Sequence, residues 1–370
     1  MSHQQENKIK AVSVSKVKYP IIIGIAVVGF LLWREFDVTV FQNLCFDYRV
    51  FFWLFFALLC MIFRDLGYMI RLKILSEGKF SWRQCFRVIM LWEFASAVTP
   101  GAVGGTGVAI IFINREGLNL GKSGSIVIAT SFLDELYFSL MFPLCILFFS
   151  YSQLFHIENK AFLSDQLVYF IIIAYSIKLI WTLLMWYSIF INPAFFGKLV
   201  KKVFKIRFLK RWLPAAEKMA VDFELSNVEL KNKSFKFWLK TFFATFLSWS
   251  SRYWVLNFLL LALIASLCTS SDISSISLYE HFLIFARQLI LWIMMLVMPT
   301  PGGSGFAEMA FTSYMSDFVP VAGLAVVIAL VWRLITYYPY LIVGAIIFPR
   351  WIKEKFGKKN LNSKFPAFSD

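Results

Sequence analysis

Charged residues are scarce in this chain of 370 residues. Asp, Glu, Lys and Arg together supply 16% of the positions, whereas hydrophobic residues supply 59%. Several apolar stretches exceed the roughly 18 residues that a helix needs to cross a bilayer. The composition therefore predicts an all-α polytopic membrane protein.

Residue types that bind metals or form redox centres are equally sparse. Three histidines are present, at positions 3, 156 and 281, and their separation predicts no ligand cluster. No phosphate-binding loop of the Gly-x-x-x-x-Gly-Lys-Ser/Thr type occurs. We therefore expect no cofactor, no metal site and no direct use of ATP. The cysteines show no paired spacing, which argues against a disulfide framework; they are Cys45, Cys60, Cys85, Cys145 and Cys268.

Positive charge is in excess and unevenly distributed. The formal net charge is +15, which alone would also suit a nucleic-acid-binding protein. Lys and Arg are confined to particular loops, however, as the positive-inside rule requires of a membrane protein. We therefore expect no nucleic-acid partner. The same bias predicts a multi-pass protein of a bacterial cytoplasmic (inner) membrane, with both termini in the cytoplasm.

Two short proline–glycine stretches interrupt apolar segments. Thr99–Gly105 reads Thr-Pro-Gly-Ala-Val-Gly-Gly, and Thr300–Gly305 reads Thr-Pro-Gly-Gly-Ser-Gly. Pro and Gly are the residues least able to continue a helix. Irregular backbone at membrane depth is tolerated only where it packs in protein or lines a wet cavity. If the first segment crossed the bilayer, later basic loops would face the wrong side, so the sequence predicts re-entrant helical hairpins near 88–113 and 279–318.

The predicted architecture has about six full transmembrane helices and these two hairpins. The first crossing is predicted at Pro20–Leu32 and the second at about Tyr48–Phe63, where a basic segment on the inner side is expected to follow. The chain is predicted to begin with a tail and the first transmembrane helix (1–47), followed by a first repeat (48–149). A connecting helix with a basic cytoplasmic segment (150–236) leads to a second repeat (237–348) and a basic tail (349–370).

The two halves share a sequence register. Arg87–Trp92 and Arg287–Trp292 both read Arg-x-x-x-Leu-Trp, and Val127–Ala129 recurs as Val327–Ala329 at the same offset. One such match between apolar helices carries little weight, but a register kept across a hairpin and the following span indicates a repeat. Because the two hairpins enter from opposite sides, the repeat is inverted. In transporters, inverted repeats place the substrate site near the bilayer midplane.

The second-half motif resembles a known family. Pro301–Glu308 (Pro-Gly-Gly-Ser-Gly-Phe-Ala-Glu), followed by Trp332–Tyr338 (Trp-Arg-Leu-Ile-Thr-Tyr-Tyr), resembles the signature of the flippase-like, lysylphosphatidylglycerol synthase transmembrane-region family. Its best-known members are the flippase halves of bacterial multiple peptide resistance factors. Pro100–Gly117 fits the same pattern, so the resemblance covers roughly the whole membrane portion. Thr130–Leu133 stand before Asp134 where the family often has an arginine.

The resemblance implies lipid handling. The family's cytosolic aminoacyl-transfer domain has no counterpart after the last predicted span, so lysyl transfer is not implied.

Charged residues within predicted spans are candidate site residues. A charge at the centre of a membrane helix costs about 2.5–3.5 kcal/mol on insertion scales, so it is expected to face a partner or water. Asp134 and Glu135 lie in one span, and Arg333 lies in the matching span of the second repeat. We predict that Asp134 approaches Arg333, with local pairing as the alternative. Arg287 is expected near the outer side, which makes it a candidate for bidentate binding of a lipid phosphate.

The complete set of candidate substrate-binding residues combines the hairpin turns, the charged residues near them and one tyrosine. No catalytic residue is proposed, and a helix-capping role is the alternative for the acidic member of the second turn. The set comprises Arg64, Glu93, Pro100, Gly101, Gly104, Gly105, Asp134, Glu135, Arg252, Arg287, Pro301, Gly302, Gly303, Gly305, Glu308, Arg333 and Tyr337.

These features predict a lipid flippase or scramblase that moves a phospholipid with an anionic or modified headgroup across the bilayer. An ion gradient or a downhill lipid gradient would supply the energy. The alternative is a membrane-embedded enzyme that transfers a headgroup or sugar to or from a lipid-linked substrate, with Asp134, Glu135 and Glu308 as acid, base or metal ligands. A channel with twin re-entrant filters is a third interpretation. The sequence leaves open which lipid moves and whether the protein forms a homodimer.

Overall fold

The computed structural model describes residues 44–98, 103–155, 165–192, 230–267, 276–296, 310–312, 314–319 and 324–357, with isolated positions between 194 and 228. Over these residues the chain is almost entirely helical. One isolated antiparallel bridge joins Leu44 to Leu267. The predicted all-α fold class is confirmed.

Ten α-helices are formed by the described residues. In chain order they are α1 (Tyr48–Leu75), α2 (Trp82–Val98), α3 (Val103–Arg115), α4 (Leu120–Phe148), α5 (Tyr151–Phe155), α6 (Asp165–Trp186), α7 (Phe235–Ser266), α8 (Leu278–Leu296), α9 (Leu324–Thr336) and α10 (Tyr338–Gly357). A π-helical turn over Tyr187–Ile191 extends α6, and a 3-10 turn covers Ser316–Phe318.

Five helical segments of the described chain are long and apolar enough to cross a bilayer, and the last of them joins α9 to α10. The segments are Tyr48–Leu75, Leu120–Phe148, Ile172–Ile191, Phe235–Ser266 and Leu324–Lys355. The protein is therefore an integral multi-pass membrane protein. The crossing predicted at residues 20–32 lies outside the described residues, so the total of about six stays a prediction.

Helix α1 has well-defined ends. The Asp47 carboxylate caps its N-terminus by accepting hydrogen bonds from the backbone N–H groups of Arg49 and Val50, at 2.9 and 3.4 Å. Such a cap satisfies amide groups that have no partner within the helix. The helix ends at Leu75, and the chain then turns through Gly78, whose φ of 75° suits a residue without a side chain.

Helix α1 is also longer than the sequence predicted. The expected end at Phe63 assumed that the following arginines mark an inner loop, but the helix continues through them for another three turns. Arg64 and Arg71 are buried at 1% and 4% exposure, so they are packed in protein rather than placed at the membrane surface. The prediction of where this helix ends was wrong, because the positive-inside rule does not distinguish an arginine in a loop from one with a buried acidic partner.

Helices α2 and α3 form an antiparallel pair. Arg87, near the start of α2, lies 2.7 Å from the carboxylate of Glu116, which directly follows α3. The two helices have 17 and 13 residues. At 1.5 Å per residue they measure about 26 and 20 Å, less than the roughly 30 Å hydrocarbon core of a bilayer.

The two limbs approach closely near their connection. A Cβ atom added at Gly105 would lie 1.9 Å from Ser96 Oγ and 2.9 Å from Ser96 Cα. Only glycine fits this position, because a side chain there would push the limbs apart. The connecting residues 99–102 lie outside the described part of the chain, as do residues 297–309 after α8. The second predicted hairpin is thus seen only in its first limb, α8, and in part of residues 310–319.

Helices α1 and α7 pack against each other along most of their length. The rings of Trp53 and Phe258 stack at one end with centroids 6.0 Å apart, and Arg71 donates to Thr245 at the other. The helices therefore run antiparallel. A Cβ atom at Gly67 would lie 2.7 Å from the carbonyl oxygen of Ala244, and such small residues allow close backbone approach in membrane helix pairs.

The spacing of the cysteines argued against a disulfide framework, yet the protein contains a disulfide. Cys45 is disulfide-bonded, and its partner lies outside the described residues. The backbone N–H of Cys45 donates to the carbonyl of Ser266 at 2.7 Å, which joins the start of α1 to the end of α7. Spacing along the chain could not reveal this bond, because it depends on how distant segments meet. The free cysteines of the described chain are Cys60, Cys85 and Cys145.

Candidate functional site

Two buried arginines on α1 organise the interior of the helical bundle. Arg64 and Arg71 are two turns apart and therefore project from the same face of the helix. Arg64 lies about 24 Å along a helix that is about 42 Å long, which places it near the middle. Tyr68 lies between the two arginines, and its ring centroid is 4.5 and 4.6 Å from their guanidinium carbons.

Arg64 holds two carboxylates. Its Nη1 lies 2.8 Å from Asp65 Oδ1, and its Nη2 lies 2.6 Å from Glu93 Oε1 on α2. Tyr340 on α10 donates its hydroxyl to Asp65 Oδ1 at 2.9 Å, and the Arg64 guanidinium also lies over the Tyr340 ring. Three helices are therefore tied together by one buried cation.

Arg71 holds a single carboxylate. Its two terminal nitrogens lie 2.5 and 3.4 Å from the two oxygens of Asp134, which lies at the middle of α4. Thr245 accepts a hydrogen bond from Arg71, and Trp249 donates its indole N–H to Asp134 Oδ1 at 2.7 Å. The predicted contact between Asp134 and Arg333 is therefore wrong: among the described residues, the carboxylate contacts Arg71 and Trp249 instead.

These groups form one continuous feature, which we call the central charged cluster. It consists of Arg64, Asp65, Tyr68, Arg71, Glu93, Asp134 and Tyr340. The arginine side chains are buried, whereas each of the three carboxylate side chains is about a quarter exposed, at 23% or 24%. The acidic groups are thus the accessible part of the cluster.

Arg252 on α7 differs from these arginines. It is partly exposed, and it lies about 26 Å along a helix of about 48 Å. Its guanidinium carbon is 5.9 and 5.8 Å from the ring centroids of Trp249 and Trp292. Within the described residues it contacts no carboxylate and makes no hydrogen bond, so its charge is balanced only by aromatic faces.

A second ion pair lies beside the central charged cluster. Glu135 on α4 accepts from Lys178 on α6, with Nζ 2.9 Å from Oε1 and 2.7 Å from Oε2. Lys178 had no assigned partner in the sequence. Because this pair is balanced one to one, it accounts for both charges without a ligand.

Arg287 is enclosed by protein. It is 2% exposed, and it lies 2.8 Å from the carboxylate of Asp317. It also donates to the backbone carbonyls of Gln153 and Tyr314, at 2.9 and 3.2 Å. Phosphate binding by Arg287 stays a prediction, but a phosphate would have to displace these internal partners.

Arg333 and Tyr337 lie near the first proline–glycine stretch. Tyr337 donates its hydroxyl to the carbonyl of Ala97, close to the end of α2, at 3.0 Å. The guanidinium carbon of Arg333 lies 4.4 Å from the Tyr337 ring centroid. The end of α9 is therefore fixed against the limb that leads into residues 99–102.

The opposite end of the hairpin carries a separate charged network. The Glu116 side chain is fully buried, and its carboxylate contacts Arg87, Lys355 and the indole N–H of Trp351. Nearby, Glu77 contacts Lys122 and Lys233 at 2.6 and 2.7 Å. These contacts link α2, α3 and α10 at one end of the bundle.

The predicted site residues are thus distributed as follows. Arg64, Glu93 and Asp134 meet in the central charged cluster, whereas Arg287 lies apart. Gly104 lies at the start of α3. Seven predicted residues lie outside the described chain: Pro100, Gly101, Pro301, Gly302, Gly303, Gly305 and Glu308.

Sequence reasoning missed several members of the central charged cluster. Arg71 belongs to the basic segment that was expected to follow the second crossing, and Asp65, Tyr68 and Tyr340 were not singled out. One signal in the sequence could have indicated a longer helix. Arg64 and Arg71 are seven positions apart, so they would lie on one face if the helix of the preceding apolar run continued through them. In the part of the chain that the structure describes, no group of three His, Cys, Asp or Glu side chains is arranged to hold a metal ion.

Comparison with known proteins agrees with a membrane protein. The profile of the lysylphosphatidylglycerol synthase TM region matches residues 21–344. The chain belongs to this family. It is also 27% identical over 323 residues to a UPF0104 membrane protein of Archaeoglobus fulgidus, and the match covers 85% of this chain and 87% of that protein. No solved structure matches.

Proposed function

We propose that the protein moves phospholipids between the two leaflets of the cytoplasmic membrane, and that the lipid phosphate binds Arg252 on the way. The name of the family points to lipids. The single observation that carries the proposal is a guanidinium near the middle of α7 that is partly exposed and that contacts no carboxylate among the described residues.

Arg252 lies near the middle of α7, a helix long and apolar enough to cross a bilayer. A charge at the centre of a membrane helix costs about 2.5–3.5 kcal/mol on insertion scales, and such residues face a partner or a water-filled cavity. Arg64, Arg71 and Arg287 each meet this requirement with a carboxylate. Arg252 lacks such a partner in the described chain, and an anionic headgroup in transit supplies one.

The surroundings of Arg252 suit a lipid headgroup. The planar guanidinium binds phosphate oxygens in a bidentate manner, and the rings of Trp249 and Trp292 hold it in place. The partly exposed carboxylates of the central charged cluster belong to the same depth, where water is needed to solvate them. A polar path at this level allows the headgroup to cross while the acyl chains stay in the bilayer.

The short antiparallel pair α2–α3 supports a re-entrant arrangement. Both helices are shorter than the hydrocarbon core, so the turn of a hairpin that enters and leaves on one side lies within the core. We propose a matching hairpin near residues 279–318, with α8 as its first limb, entering from the other side. Inverted hairpins of this kind form substrate sites in other transporters.

The disulfide of Cys45 supports an orientation. Disulfides persist in oxidising environments outside the cytoplasm, so we propose that the start of α1 faces outward. The Glu116 network, with Arg87 and Lys355, then faces the cytoplasm, as the positive-inside rule requires.

This orientation can be tested in intact cells. In a variant with Cys60→Ser, Cys85→Ser and Cys145→Ser, a membrane-impermeant maleimide is expected to label the protein only after reduction with an impermeant reductant. An absence of labelling after reduction in intact cells, together with labelling in lysed cells, would contradict the orientation.

The proposed function is tested by reconstitution into liposomes. Fluorescently labelled phosphatidylglycerol, phosphatidylethanolamine and a glycosylceramide that lacks phosphate are placed in both leaflets, and an impermeant quencher reports their transbilayer movement. We expect the wild-type protein to accelerate the movement of the phospholipids. Failure to move any of these lipids would overturn the proposal.

The role of Arg252 is tested with two substitutions. Arg252→Gln is expected to slow phospholipid movement by about tenfold, which corresponds to the loss of about 1.4 kcal/mol of phosphate binding along the path, and to affect the glycosylceramide less. Arg252→Lys should have an intermediate effect, because a lysine keeps the charge but not the bidentate geometry. The control is Arg83→Gln, which removes the same charge from an exposed position at the start of α2. Equal effects at both positions would argue against phosphate binding by Arg252.

A further inference from the structure

The charges around Arg64 do not balance. One guanidinium contacts two carboxylates, Asp65 on its own helix and Glu93 on α2, at 2.8 and 2.6 Å. With both carboxylates ionised, the group carries one excess negative charge near the middle of the bundle. An unbalanced charge at this depth is costly, and it is normally removed by binding a counter-ion or a proton.

No second cation of the described chain reaches the two carboxylates. On α1, Arg71 is engaged by Asp134, and Tyr68 presents its ring to both arginines. On α10, the Tyr340 hydroxyl donates to Asp65.

Two of the other packed helices also carry an arginine. Arg252 on α7 contacts the rings of Trp249 and Trp292. Arg333 on α9 contacts those of Trp332 and Tyr337.

The same helices bring neutral groups into contact with this region. On α7, the Ser248 hydroxyl donates to the carbonyl of Arg64, and Thr245 contacts Arg71. On α9, Tyr337 donates to the carbonyl of Ala97, one turn beyond Glu93. Among the described residues, Arg64 is therefore the only cation that contacts Asp65 or Glu93.

The group also retains open hydrogen-bonding positions. Asp65 Oδ1 accepts from both Arg64 and Tyr340, whereas Asp65 Oδ2 and Glu93 Oε2 receive no donor from the described chain. Arg64 is 1% exposed, yet its Nε lacks an acceptor. The carboxylate side chains are 23% and 24% exposed, so the open oxygens are accessible while the cation that binds them is buried.

We propose that Asp65 and Glu93 share one exchangeable proton across Arg64, and that binding and release of this proton are linked to the movement of lipid between leaflets. The proposal rests on the proposed function and adds an energy source to it. Two carboxylates held by one cation titrate as a pair, in which ionisation of the first opposes that of the second.

The two carboxylates lie on different helices, so a proton bound to one of them changes the contact between those helices. Glu93 belongs to α2, the first limb of the hairpin, whereas Arg64 and Asp65 belong to α1. When Glu93 is ionised, the 2.6 Å contact holds the hairpin against α1. A proton on Glu93 weakens that contact, because a neutral carboxyl attracts a guanidinium less strongly than a carboxylate does. Proton binding thus weakens the attachment of the hairpin to α1.

The test uses the full-length protein in liposomes that contain labelled phosphatidylglycerol and a trapped pH indicator. At one proton per lipid, a difference of one pH unit supports up to about tenfold accumulation of the lipid in one leaflet. We expect an imposed pH gradient to drive such accumulation, and an imposed lipid asymmetry to drive proton flux. Glu93→Gln and Asp65→Asn should abolish both responses. Glu354→Gln, which removes an exposed carboxylate, is the control.

Each result has a defined meaning. Wild-type protein that equilibrates lipid but ignores a pH gradient would overturn the proton proposal and leave the proposed function intact. A response to a sodium gradient instead of a pH gradient would also overturn it. Absence of any lipid movement would overturn the proposed function itself. If both variants fail to fold, as judged by thermal unfolding, the gradient responses of the wild-type protein alone decide.

Discussion

Two arginines on neighbouring helices of the second half have opposite surroundings. Arg287 on α8 is 2% exposed and is bound by the carboxylate of Asp317 and by two backbone carbonyls. Arg252 on α7 is partly exposed and contacts only the rings of two tryptophans in the described chain. The sequence favoured Arg287 as the phosphate-binding residue, because it lies where the positive-inside rule expects no arginine.

The difference teaches that the depth of a charge in a membrane helix does not by itself indicate a ligand. A cation whose donors are all satisfied by protein stabilises the fold, whereas one that lacks an acceptor is available to a substrate. Arg64 is intermediate, because it is buried like Arg287 but shared by two carboxylates. The following predictions test this distinction.

The largest effect on stability is expected for Arg287→Gln. The substitution leaves Asp317 as an unpaired carboxylate and leaves the carbonyls of Gln153 and Tyr314 without donors. Breaking a buried ion pair from one side costs about 3–5 kcal/mol. We expect a marked loss of thermal stability in detergent, measured by the intrinsic tryptophan fluorescence, and unchanged lipid movement per folded molecule at low temperature.

The same experiment can contradict the distinction between a structural Arg287 and a substrate-binding Arg252. If Arg287→Gln keeps the unfolding temperature of the wild type but stops phospholipid movement, then Arg287 binds substrate and its internal contacts are dispensable. Arg83→Gln serves as the control for the change in net charge.

A smaller loss of stability is expected for Asp134→Asn. This change removes the charge that binds Arg71 at 2.5 Å and that accepts from Trp249 at 2.7 Å. Hydrogen bonds to a charged group contribute about 1.5–3 kcal/mol each. The neutral amide retains the shape of the side chain, so the loss reports the charge rather than the packing.

The pairing of Asp134 with Arg71 is checked by a double-mutant cycle. Arg71→Gln and Asp134→Asn are measured singly and together by denaturant unfolding in mixed micelles. Residues in direct contact show coupling of about 0.5–3 kcal/mol, whereas independent sites are additive. Additivity would contradict a direct pair, and coupling of Asp134 to Arg333 instead would support the contact that the sequence predicted.

The amino-acid sequence revealed the helices and several charged residues of the site, but not the contacts between them. Hydropathy gave the location of α4 and α7, and the proline at position 100 gave the break between α2 and α3. Arg64, Glu93 and Asp134 were identified as candidates, because charge inside an apolar run is unusual. Their partners could not be identified in this way.

The reason is that partners in the central charged cluster are far apart in the chain. Asp134 is 63 positions from Arg71, and Tyr340 is 275 positions from Asp65. Periodicity describes one helix at a time and does not state which faces of two helices meet. The repeat register suggested Arg333 as the partner of Asp134. In the structure, α1 packs closely on α7, and Arg71 of α1 is the arginine that contacts Asp134.

The smallest effect is expected at Glu77, in the exposed turn after α1. Hydrogen bonds from Lys122 and Lys233 lower the pKa of this carboxyl from 4.5 to about 2. Its contribution to stability is therefore complete above about pH 4.5 and is lost as the pH falls towards 2. Because the side chain is 36% exposed, solvent screens the pair, and exposed ion pairs contribute less than about 1 kcal/mol.

We expect Glu77→Gln to lower the unfolding temperature slightly at pH 7 and to leave it unchanged near pH 2, where the wild-type carboxyl is also protonated. The measurement is thermal unfolding of both proteins over this pH range, with Glu354→Gln as a control for the loss of one surface carboxylate. A difference that persists undiminished at the lowest pH would show that Glu77 acts through its shape rather than its charge. Glu77 would then resemble Arg287, which is 2% exposed and contacts protein groups rather than solvent.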